Sequence, residues 1–369
     1  MKFTLSTKPL AKALDLAVPA NVSPNYKIGT LAQLTVEGKE LRINFQSKGI
    51  LSEVRFKGAP ETPDMKETVF VDNNVLKQLV SSFDTNTVQI DYVEGGIQLT
   101  AGKSNFLLPK LSYAEEITIS RPDESKYTAD VAKLNTDAWK YVKNNQAHLL
   151  AVSFEFPVYT MIHVSDKGDV LSGDFQDSMF SHSIKSDLGQ TCLISSEIAD
   201  LLASIPENAT FKRNESNYLI QVNGEGYQYV SEVSPKHEFD SDMGDYNAEI
   251  LLNELEHPDH FVSISPDALR KVLNQSALLE SVKDDTMDIT FDKSSINIKN
   301  ASINCDIPSE GGENITTGVT CKIATKNLKK ILKPYVKEKV NIAMLFEGDE
   351  AKGLLLFDDD VTIIVGGVD

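Results

Sequence analysis

The amino-acid sequence predicts an α+β protein made of three copies of one unit, each with two helices packed on antiparallel strands. Three observations support this prediction: a strand–helix segment that recurs at nearly constant spacing, a second helix start about half a unit earlier, and short strands separated by turn residues. The chain has 369 residues, of which 41% are apolar, so at roughly 100–200 residues per domain it can form two or three cores.

The first recurring segment is a short strand that runs into an amphipathic helix. Its anchor residue is Val71, Ile194 and Ile323 in the three copies, and the anchors are 123 and 129 residues apart. Apolar residues follow each anchor four or five and then eight or nine positions later, a spacing that gives one apolar helix face. A strand-like run restarts 17 residues past each anchor, and the turns after it are predicted at Glu94–Gly96, Asn223–Gly224 and Glu347–Asp349.

The second recurring segment marks a helix start about half a unit earlier. An apolar residue, Leu5, Leu134 or Ile264, precedes a residue that can cap a helix N-terminus, and the next apolar anchor follows five positions after the first. Polar stretches separate the copies, one at Ser120–Ser125 and one that starts at His237 and is acidic. We therefore expect three domains, at residues 1–123, 124–253 and 254–369.

Charge is unevenly distributed along the chain. The formal net charge of −18 argues against a protein that grips nucleic acid over its whole surface, because phosphate contacts come from Lys and Arg. The six predicted helices nevertheless carry +5, which leaves −23 for the rest of the chain. Basic charge is therefore concentrated on the helices, although segment 195–205 carries −2. Taken alone, the Lys-rich segment from Lys326 to Lys339 is typical of a solvated helix face without a partner.

Cysteine spacing and the length of the apolar runs indicate where the protein is found. Cys192, Cys305 and Cys321 fit neither a disulfide framework nor a CxxC metal site, so we expect reduced, buried thiols. No stretch approaches the ~20 consecutive apolar residues of a membrane span, and Lys8 and Lys12 interrupt the apolar run that a signal peptide needs. We expect a cytoplasmic protein without a membrane segment.

The sequence offers no catalytic or metal-binding constellation. Glu254, His257 and His260 lie in an acidic linker that contains Pro, which predicts a solvated junction. Asp358–Asp360 lies between two predicted strands, where a hairpin turn explains it without a cation. The motifs HExxH, GxxxxGK[ST], GxGxxG and GxSxG are absent. We therefore expect no catalytic residues, no cofactor and no metal.

Several stretches resemble the bacterial-type DNA sliding clamp, the β subunit of the replicative DNA polymerase III. MKFTLSTKPLAKALDLAV resembles the family's first helix, and VFVDNNVLKQLVSSF with VQIDYVEGGIQLTAGKSNFLLPKL resembles the second half of its first domain. GKSNFLLPKL is the most specific piece, and TIIVGGVD fills the place of the family's closing strand and tail. The resemblance covers essentially the whole length and rests mainly on the threefold plan.

The resemblance implies a head-to-tail homodimer, a ring of six clamp domains whose helices line a hole around duplex DNA. Such a ring is a processivity factor: it tethers the replicative polymerase near the primer terminus and catalyses nothing itself. A modestly positive lining attracts phosphates without sequence readout and leaves the ring free to slide. The implied DNA-facing residues are Lys8, Lys12, Lys27, Lys77, Lys140, Lys143, Arg270, Lys271, Lys326, Lys329, Lys330 and Lys333.

The family's second functional surface is a hydrophobic pocket between domains two and three that receives short peptides from polymerase and clamp loader. The family's Thr-Asp-Gly-His-Arg-Leu stretch and its Met-Pro-Met-Arg-Leu ending are absent here. These departures suggest a clamp for a different polymerase and peptide, such as one encoded by a phage or plasmid. By position the pocket candidates, which are equally compatible with strand core, are Phe175, Met179, Phe180, Ile363 and Val365.

Ring closure in the family pairs domain one of one copy with domain three of the other. The corresponding residues here are Phe106 and Leu108 on the GKSNFLLPKL strand, with Val272 and Leu273 opposite. Either pair is equally compatible with internal core.

Two other classes of function remain open at the level of sequence. One is an acidic β-rich repeat module for protein–protein interaction, which would be monomeric and would not bind DNA. The other is an enzyme with an unrecognised site in an interdomain cleft. The first gives no reason for basic charge to gather on the helices, and the second needs convergent titratable groups that the sequence does not reveal.

Overall fold

The computed structural model describes residues 2–17, 27–47, 49–57, 68–112, 117–130, 136–144, 161–165, 169–173, 178–183, 191–206, 208–235, 258–279, 286–312, 315–332, 338–359 and 361–367. Within them, the first repeat contains β1 (Lys2–Ser6), α1 (Thr7–Ala17), β2 (Leu31–Glu37), β3 (Glu40–Ser47), β4 (Ile50–Lys57), β5 (Thr68–Asp72), α2 (Asn73–Ser81), β6 (Thr87–Val93), β7 (Gly96–Ala101) and β8 (Ser104–Pro109).

The second and third repeats contain the same succession of elements. The second has β9 (Ala129–Asp130), α3 (Thr136–Asn144), β10 (Ile162–Val164), β11 (Asp169–Gly173), β12 (Ser178–Ser183), β13 (Cys192–Ile194), α4 (Ser196–Ser204), β14 (Thr210–Arg213), β15 (Tyr218–Gly224) and β16 (Tyr227–Val233). The third has β17 (Val262–Ile264), α5 (Pro266–Leu279), β18 (Thr286–Asp292), β19 (Ser295–Lys299), β20 (Asn304–Pro308), β21 (Thr320–Ala324), α6 (Thr325–Ile331), β22 (Val340–Glu347), β23 (Glu350–Phe357) and β24 (Val361–Gly366).

Each repeat builds two antiparallel sheets with the same strand order. The first strand of the repeat lies beside the last three, and the fifth lies beside the second, third and fourth, as in β1-β6-β7-β8 and β5-β2-β3-β4. The second repeat has β9-β14-β15-β16 and β13-β10-β11-β12, and the third has β17-β22-β23-β24 and β21-β18-β19-β20. This threefold plan confirms the predicted α+β fold.

Two strand pairings, which we call seams, join neighbouring repeats into eight-stranded sheets. In the first seam β4 pairs with β16, and Val54 lies opposite Tyr229. In the second seam β12 pairs with β24, and Phe180 lies opposite Ile363. Both seams join the fourth strand of one repeat to the last strand of the next. The remaining last strand, β8, and the remaining fourth strand, β20, are free edges within the described part of the chain.

The chain groups into two compact units. The N-terminal unit is Met1–Thr136 with Glu197–His237, and the C-terminal unit is Asp137–Ser196 with Glu238–Asp369. The N-terminal unit includes α1, α2 and α4 apart from Ser196, and the C-terminal unit includes α5, α6 and α3 apart from Thr136. The domain boundaries after residues 123 and 253 stay a prediction.

Helix α2 shows how the recurring strand–helix segment folds. Asp72 is extended and accepts a 2.9 Å hydrogen bond from the Val75 N–H, so it caps the helix N-terminus. Leu76 and Val80 lie one turn apart and are buried, whereas Val75 is 44% exposed. Of the apolar positions that the spacing predicts on α2, Leu76 and Val80 form the buried face and Val75 lies outside it.

One apolar cluster forms the core of the C-terminal unit. It includes Leu273 of α5, Leu328 of α6 and residues of both sheets of the third repeat. Cys321 belongs to this cluster, and Cys192 is buried in the strand that precedes α4, as predicted; Cys305 on β20 is only partly buried. None of the described helices is both long and apolar enough to cross a membrane.

Two of the three predicted turns lie where the sequence places them. Gly95 and Gly348 have φ values of 92° and 63°, which glycine adopts without a steric penalty. In the second repeat the turn is instead Glu225–Gly226, with φ of 82° at the glycine, while Asn223 and Gly224 end β15. The prediction was two residues early because Asn-Gly is the stronger hairpin signal.

Candidate DNA-binding and partner-binding surfaces

Some of the predicted DNA-facing side chains are engaged by acidic groups of the chain itself. Lys77 of α2 lies 3.2 Å from the Asp15 carboxylate of α1. On α3, Lys140 pairs with Asp137 one turn earlier, at 2.8 Å. Ion pairs of this exposed kind contribute about 0–1 kcal/mol, so their main effect is to cancel charge locally.

Arg270 of α5 is engaged at both ends of its guanidinium group. One nitrogen donates to the Asp267 carboxylate at 2.5 Å, and the other donates to the Leu332 carbonyl at 2.8 Å. Leu332 follows the last residue of α6, where helix carbonyls lack an internal partner. Arg270 therefore caps the C-terminal end of α6 and fixes it to α5.

A second set of predicted lysines has no ion pair among the described residues. Lys8 and Lys12 on α1, Lys271 on α5 and Lys326 on α6 are exposed, and Lys329 on α6 is half-buried.

The remaining predicted positions belong to neither group. Lys143 on α3 is half-buried. Three positions carry no described side chain: Lys27 begins a 3-10 turn, Lys330 lies on α6, and Lys333 falls outside the described residues. For all twelve predicted positions, DNA contact stays a prediction.

Helix α4 differs from the other described helices because all of its charged residues are acidic. Glu197 lies in its first turn and is half-buried, and Asp200 is 7% exposed. The Asp200 carbonyl accepts a 2.7 Å hydrogen bond from the Ser204 hydroxyl. The acidic character predicted for residues 195–205 therefore belongs to an ordered helix.

The predicted pocket residues fall into three groups. Phe175 lies outside the described residues, and Met179 and Phe180 lie on β12 at the second seam. Ile363 and Val365 are 0% exposed and belong to the core of the C-terminal unit. These last two positions are strand core, so neither presents a side chain to a peptide.

The opposite face of the same sheet carries a separate apolar cluster, the second-seam apolar face. Ala343, Leu355 and Phe357 form its buried part, and Ile364 of β24 packs against them half-buried. Phe261 completes it, with its ring edge-on to Phe357 at 5.2 Å. Because side chains alternate along a strand, Ile364 faces away from the core that holds its neighbours. Ile364 is therefore an apolar β24 side chain that remains partly exposed on this face.

The predicted dimer-interface residues lie on a free edge and in a core. Phe106 of β8 is half-buried against Phe83, with ring centroids 5.4 Å apart, and Leu108 is 2% exposed. Val272 and Leu273 of α5 are 5% and 1% exposed, so they are core residues of the C-terminal unit. Leu107, between the two predicted β8 residues, is 60% exposed.

At the first seam, one face of the sheet carries a charged network, which we call the first-seam charged face. Glu53 of β4 is 0% exposed and accepts a hydrogen bond from Arg55. The guanidinium groups of Arg42 and Arg121 lie 3.7 Å and 3.8 Å from its other oxygen. Three arginines thus surround one buried carboxylate.

The same arginines reach further carboxylates on both sides of the seam. Arg121, in the segment between the first two repeats, binds Glu37 of β2 at 2.7 Å. Arg55 binds Glu124, the first residue of a 3-10 turn, at 2.8 Å. Burial alone lowers the pKa of Arg55, but its hydrogen bonds and charge pairing with Glu53 and Glu124 outweigh that effect and raise it.

Comparison with known proteins yields no family model and no curated protein that matches this sequence. Solved structures do match it over its whole length. The DNA polymerase III subunit β from Pseudomonas aeruginosa has a TM-score of 0.72 at 14% identity, and the match covers 100% of both chains. The Bacillus subtilis DNA polymerase sliding clamp has 0.71 at 15%, covering 100% of this chain and 99% of the other. A Helicobacter pylori β clamp bound to a DNA ligase peptide has 0.67 at 14%, covering 100% of both.

The chain has the fold of the bacterial sliding clamp.

In this clamp fold, sequence reasoning missed three features. For Ile364 and Leu107, the sequence predicts a site at the immediate neighbours on the same strand instead. The charged network was missed because its carboxylates and arginines come from distant segments, and no local spacing brings Glu53 and Arg121 together. The alternation rule could have signalled Leu107, since Phe106 and Leu108 lie on the other face of β8.

Proposed function

We propose that the chain is a cytoplasmic DNA sliding clamp: two copies form a ring around duplex DNA and hold the replicative polymerase there, with no catalytic activity of their own. The observation that carries the proposal is the pattern of the seams. Each seam joins the fourth strand of one repeat to the last strand of the next, which leaves β20 and β8 as the unmatched pair. Pairing β20 of one copy with β8 of a second copy repeats the same junction and leaves neither edge open.

The seams also predict the register of this junction. The first seam gives the register that follows, and the second, in which His182 lies opposite Val361, gives one shifted by two residues. Val54 of β4 and Cys305 of β20 occupy equivalent positions in their repeats. Each is the last residue in a row of opposed residues that crosses its sheet from the strand before a helix. The row starts three residues before that strand ends, and for Val54 this starting residue is Val69. Tyr229 and Phe106 are each the third residue of their strand. Since Val54 lies opposite Tyr229, we expect Cys305 to lie opposite Phe106 of the second copy.

A disulfide tests this junction directly. Opposed residues of antiparallel strands have Cα atoms about 4.5–5.5 Å apart, within disulfide reach. A Phe106→Cys protein should therefore form a covalent dimer through native Cys305 under mild oxidation, and Cys305→Ser in the same protein should abolish it. Ser104→Cys and Leu108→Cys, two residues to either side, measure the register. Failure of all three to form a dimer on a non-reducing gel contradicts the junction.

The second-seam apolar face is the surface that we propose for short peptides of the polymerase and the clamp loader. Ile364 and Leu345 are half-buried there over a fully buried apolar layer, so a docked apolar side chain removes more surface from water at about 25 cal/mol per Å². The Helicobacter pylori clamp that shares this fold is bound to a DNA ligase peptide.

Retention on DNA tests the whole proposal. A topologically linked ring stays on nicked circular DNA through a high-salt wash and is lost when the circle is linearised, because it slides off the ends. A protein held by contacts alone behaves the same on both forms. An acidic protein-interaction module without DNA binding, the other function that the sequence left open, is retained on neither.

A further inference from the structure

Resting on the clamp function proposed above, we propose that the grip on DNA is uneven within each subunit. The helices of the C-terminal unit hold the phosphate backbone, and those of the N-terminal unit form an electrically neutral surface along which the duplex slides. The partner chemistry is the phosphate backbone of duplex DNA, without base readout.

The helix charges divide between the two units. In the N-terminal unit α1 and α2 carry +1 each and α4 carries −2, which gives zero. In the C-terminal unit α3 and α5 carry +1 each and α6 carries +3, which gives +5. All of the net positive charge that the sequence places on these six helices therefore belongs to one unit.

The ion pairs sharpen this division. In the N-terminal unit, Lys77 is neutralised by Asp15, and the −2 charge of α4 equals in size the +2 charge of Lys8 and Lys12, which have no ion pair among the described residues. In the C-terminal unit, Lys271, Lys326 and Lys329 have no carboxylate partner in the described part of the chain. A lysine without an internal partner can exchange its counterions for a phosphate at no cost in broken ion pairs.

Arg270 gives the lysines of α6 a fixed position. Helix α6 has only seven residues, and its C-terminal carbonyl at Leu332 accepts from Arg270 of α5. Leu328, on the other side of α6 from the exposed Lys326, is 0% exposed and anchors the helix in the core. Arg270 is thus a positioning residue for Lys326 and Lys329, while its direct contact with DNA stays a prediction.

Two double variants with the same change in charge test the division. Lys326→Ala/Lys329→Ala removes two lysines from the C-terminal unit, and Lys8→Ala/Lys12→Ala removes two from the N-terminal unit. The measurement is the slope of log K against log salt for a short linear duplex. This slope becomes shallower by about 0.9 for each phosphate that the protein no longer neutralises. We expect a change of this size for each lysine in the α6 variant, and less than half of it in the α1 variant.

A third variant probes the acidic helix. Glu197→Gln should strengthen binding and steepen the slope, because it removes charge that offsets Lys8 and Lys12. Equal changes in slope for the two double variants, or no gain from Glu197→Gln, overturn the uneven grip. The clamp function is tested separately, by retention of the wild type on nicked circular DNA. If the wild type is retained but the two double variants change equally in slope, only the uneven grip is contradicted.

Discussion

The two seams join neighbouring repeats by the same strand pairing, yet their side chains differ in kind. At the first seam, one face of the sheet holds buried Glu53 among three arginines, which bind further carboxylates from both repeats. At the second seam, the face that carries Ile364 is apolar, with Leu355 and Phe357 almost fully buried beneath it. One backbone plan therefore supports a charged junction and an apolar one.

The difference indicates which seam is suited to a partner. The charges of the first seam are paired with one another within the chain, and covering them would remove their exposed parts from water without adding an apolar contact. The apolar face of the second seam offers surface that gains from burial and has no charge to desolvate. Side-chain content, and not topology, therefore distinguishes the two seams.

A charge introduced at one of two neighbouring residues of β24 should give the largest difference in stability. Ile363→Lys puts an ammonium group in the core and should cost more than about 4 kcal/mol of unfolding free energy or prevent folding, whereas Ile364→Lys should cost about 1 kcal/mol. Urea unfolding measures both. If Ile363→Lys does not fold, Ile363→Ala should still lose about 2–5 kcal/mol. Similar losses at the two positions would show that Ile364 is core as well.

Removing the buried carboxylate of the first seam should have the next largest effect. Glu53→Ala removes the one buried carboxylate that Arg42, Arg55 and Arg121 share and leaves them only their pairings with more exposed carboxylates, so it should cost about 3 kcal/mol. The matched control is Glu40→Ala, which removes a half-buried carboxylate bound to Arg42 and should cost about 0–1 kcal/mol. Chemical denaturation of both proteins compares the values. Equal costs would mean that the charged face contributes no more than a surface network.

Acid should weaken the sheet that contains the second seam. Burial lowers the pKa of His163 on β10 from its ordinary 6.5 to about 4. The folded state therefore favours neutral imidazole, so this stabilisation is complete above pH 6.5 and is lost as the pH falls towards 4. Between pH 7 and pH 5 the loss is about 2 kcal/mol. His163→Leu should flatten the profile in that range, and parallel profiles for the two proteins would contradict the assignment.

The repeat plan was predictable because apolar periodicity and cap residues are local. The segments around Val71, Ile194 and Ile323 each indicate a strand and an apolar helix face within about a dozen residues. The seams were not predictable in the same way, since Val54 and Tyr229 meet across two repeats and no local pattern joins them. The resemblance to a known family implied a ring of six domains but did not identify these strand pairings.

The candidate sites divide along the same line. Exposed lysines on α1, α5 and α6 follow from helix periodicity, and the Asp267–Arg270 pair follows from its spacing of three residues. The Lys77–Asp15 pair joins two helices and has no sequence signal. On β24 alternation could not identify the exposed residue, because Ile363, Ile364 and Val365 are all apolar. A shift of one residue along the strand exchanges core for surface.

The strands β8 and β20, which the seams leave unmatched, are unlike each other. This difference affects how the proposed ring would open. A contact between unlike surfaces is head-to-tail, so copies either close into a ring or continue as a filament. With two copies, closure creates two identical junctions. When one junction breaks, the other keeps the broken edges near each other at high effective concentration. In the proposed ring, opening would then be a reversible intramolecular event, and DNA could enter without separation of the subunits.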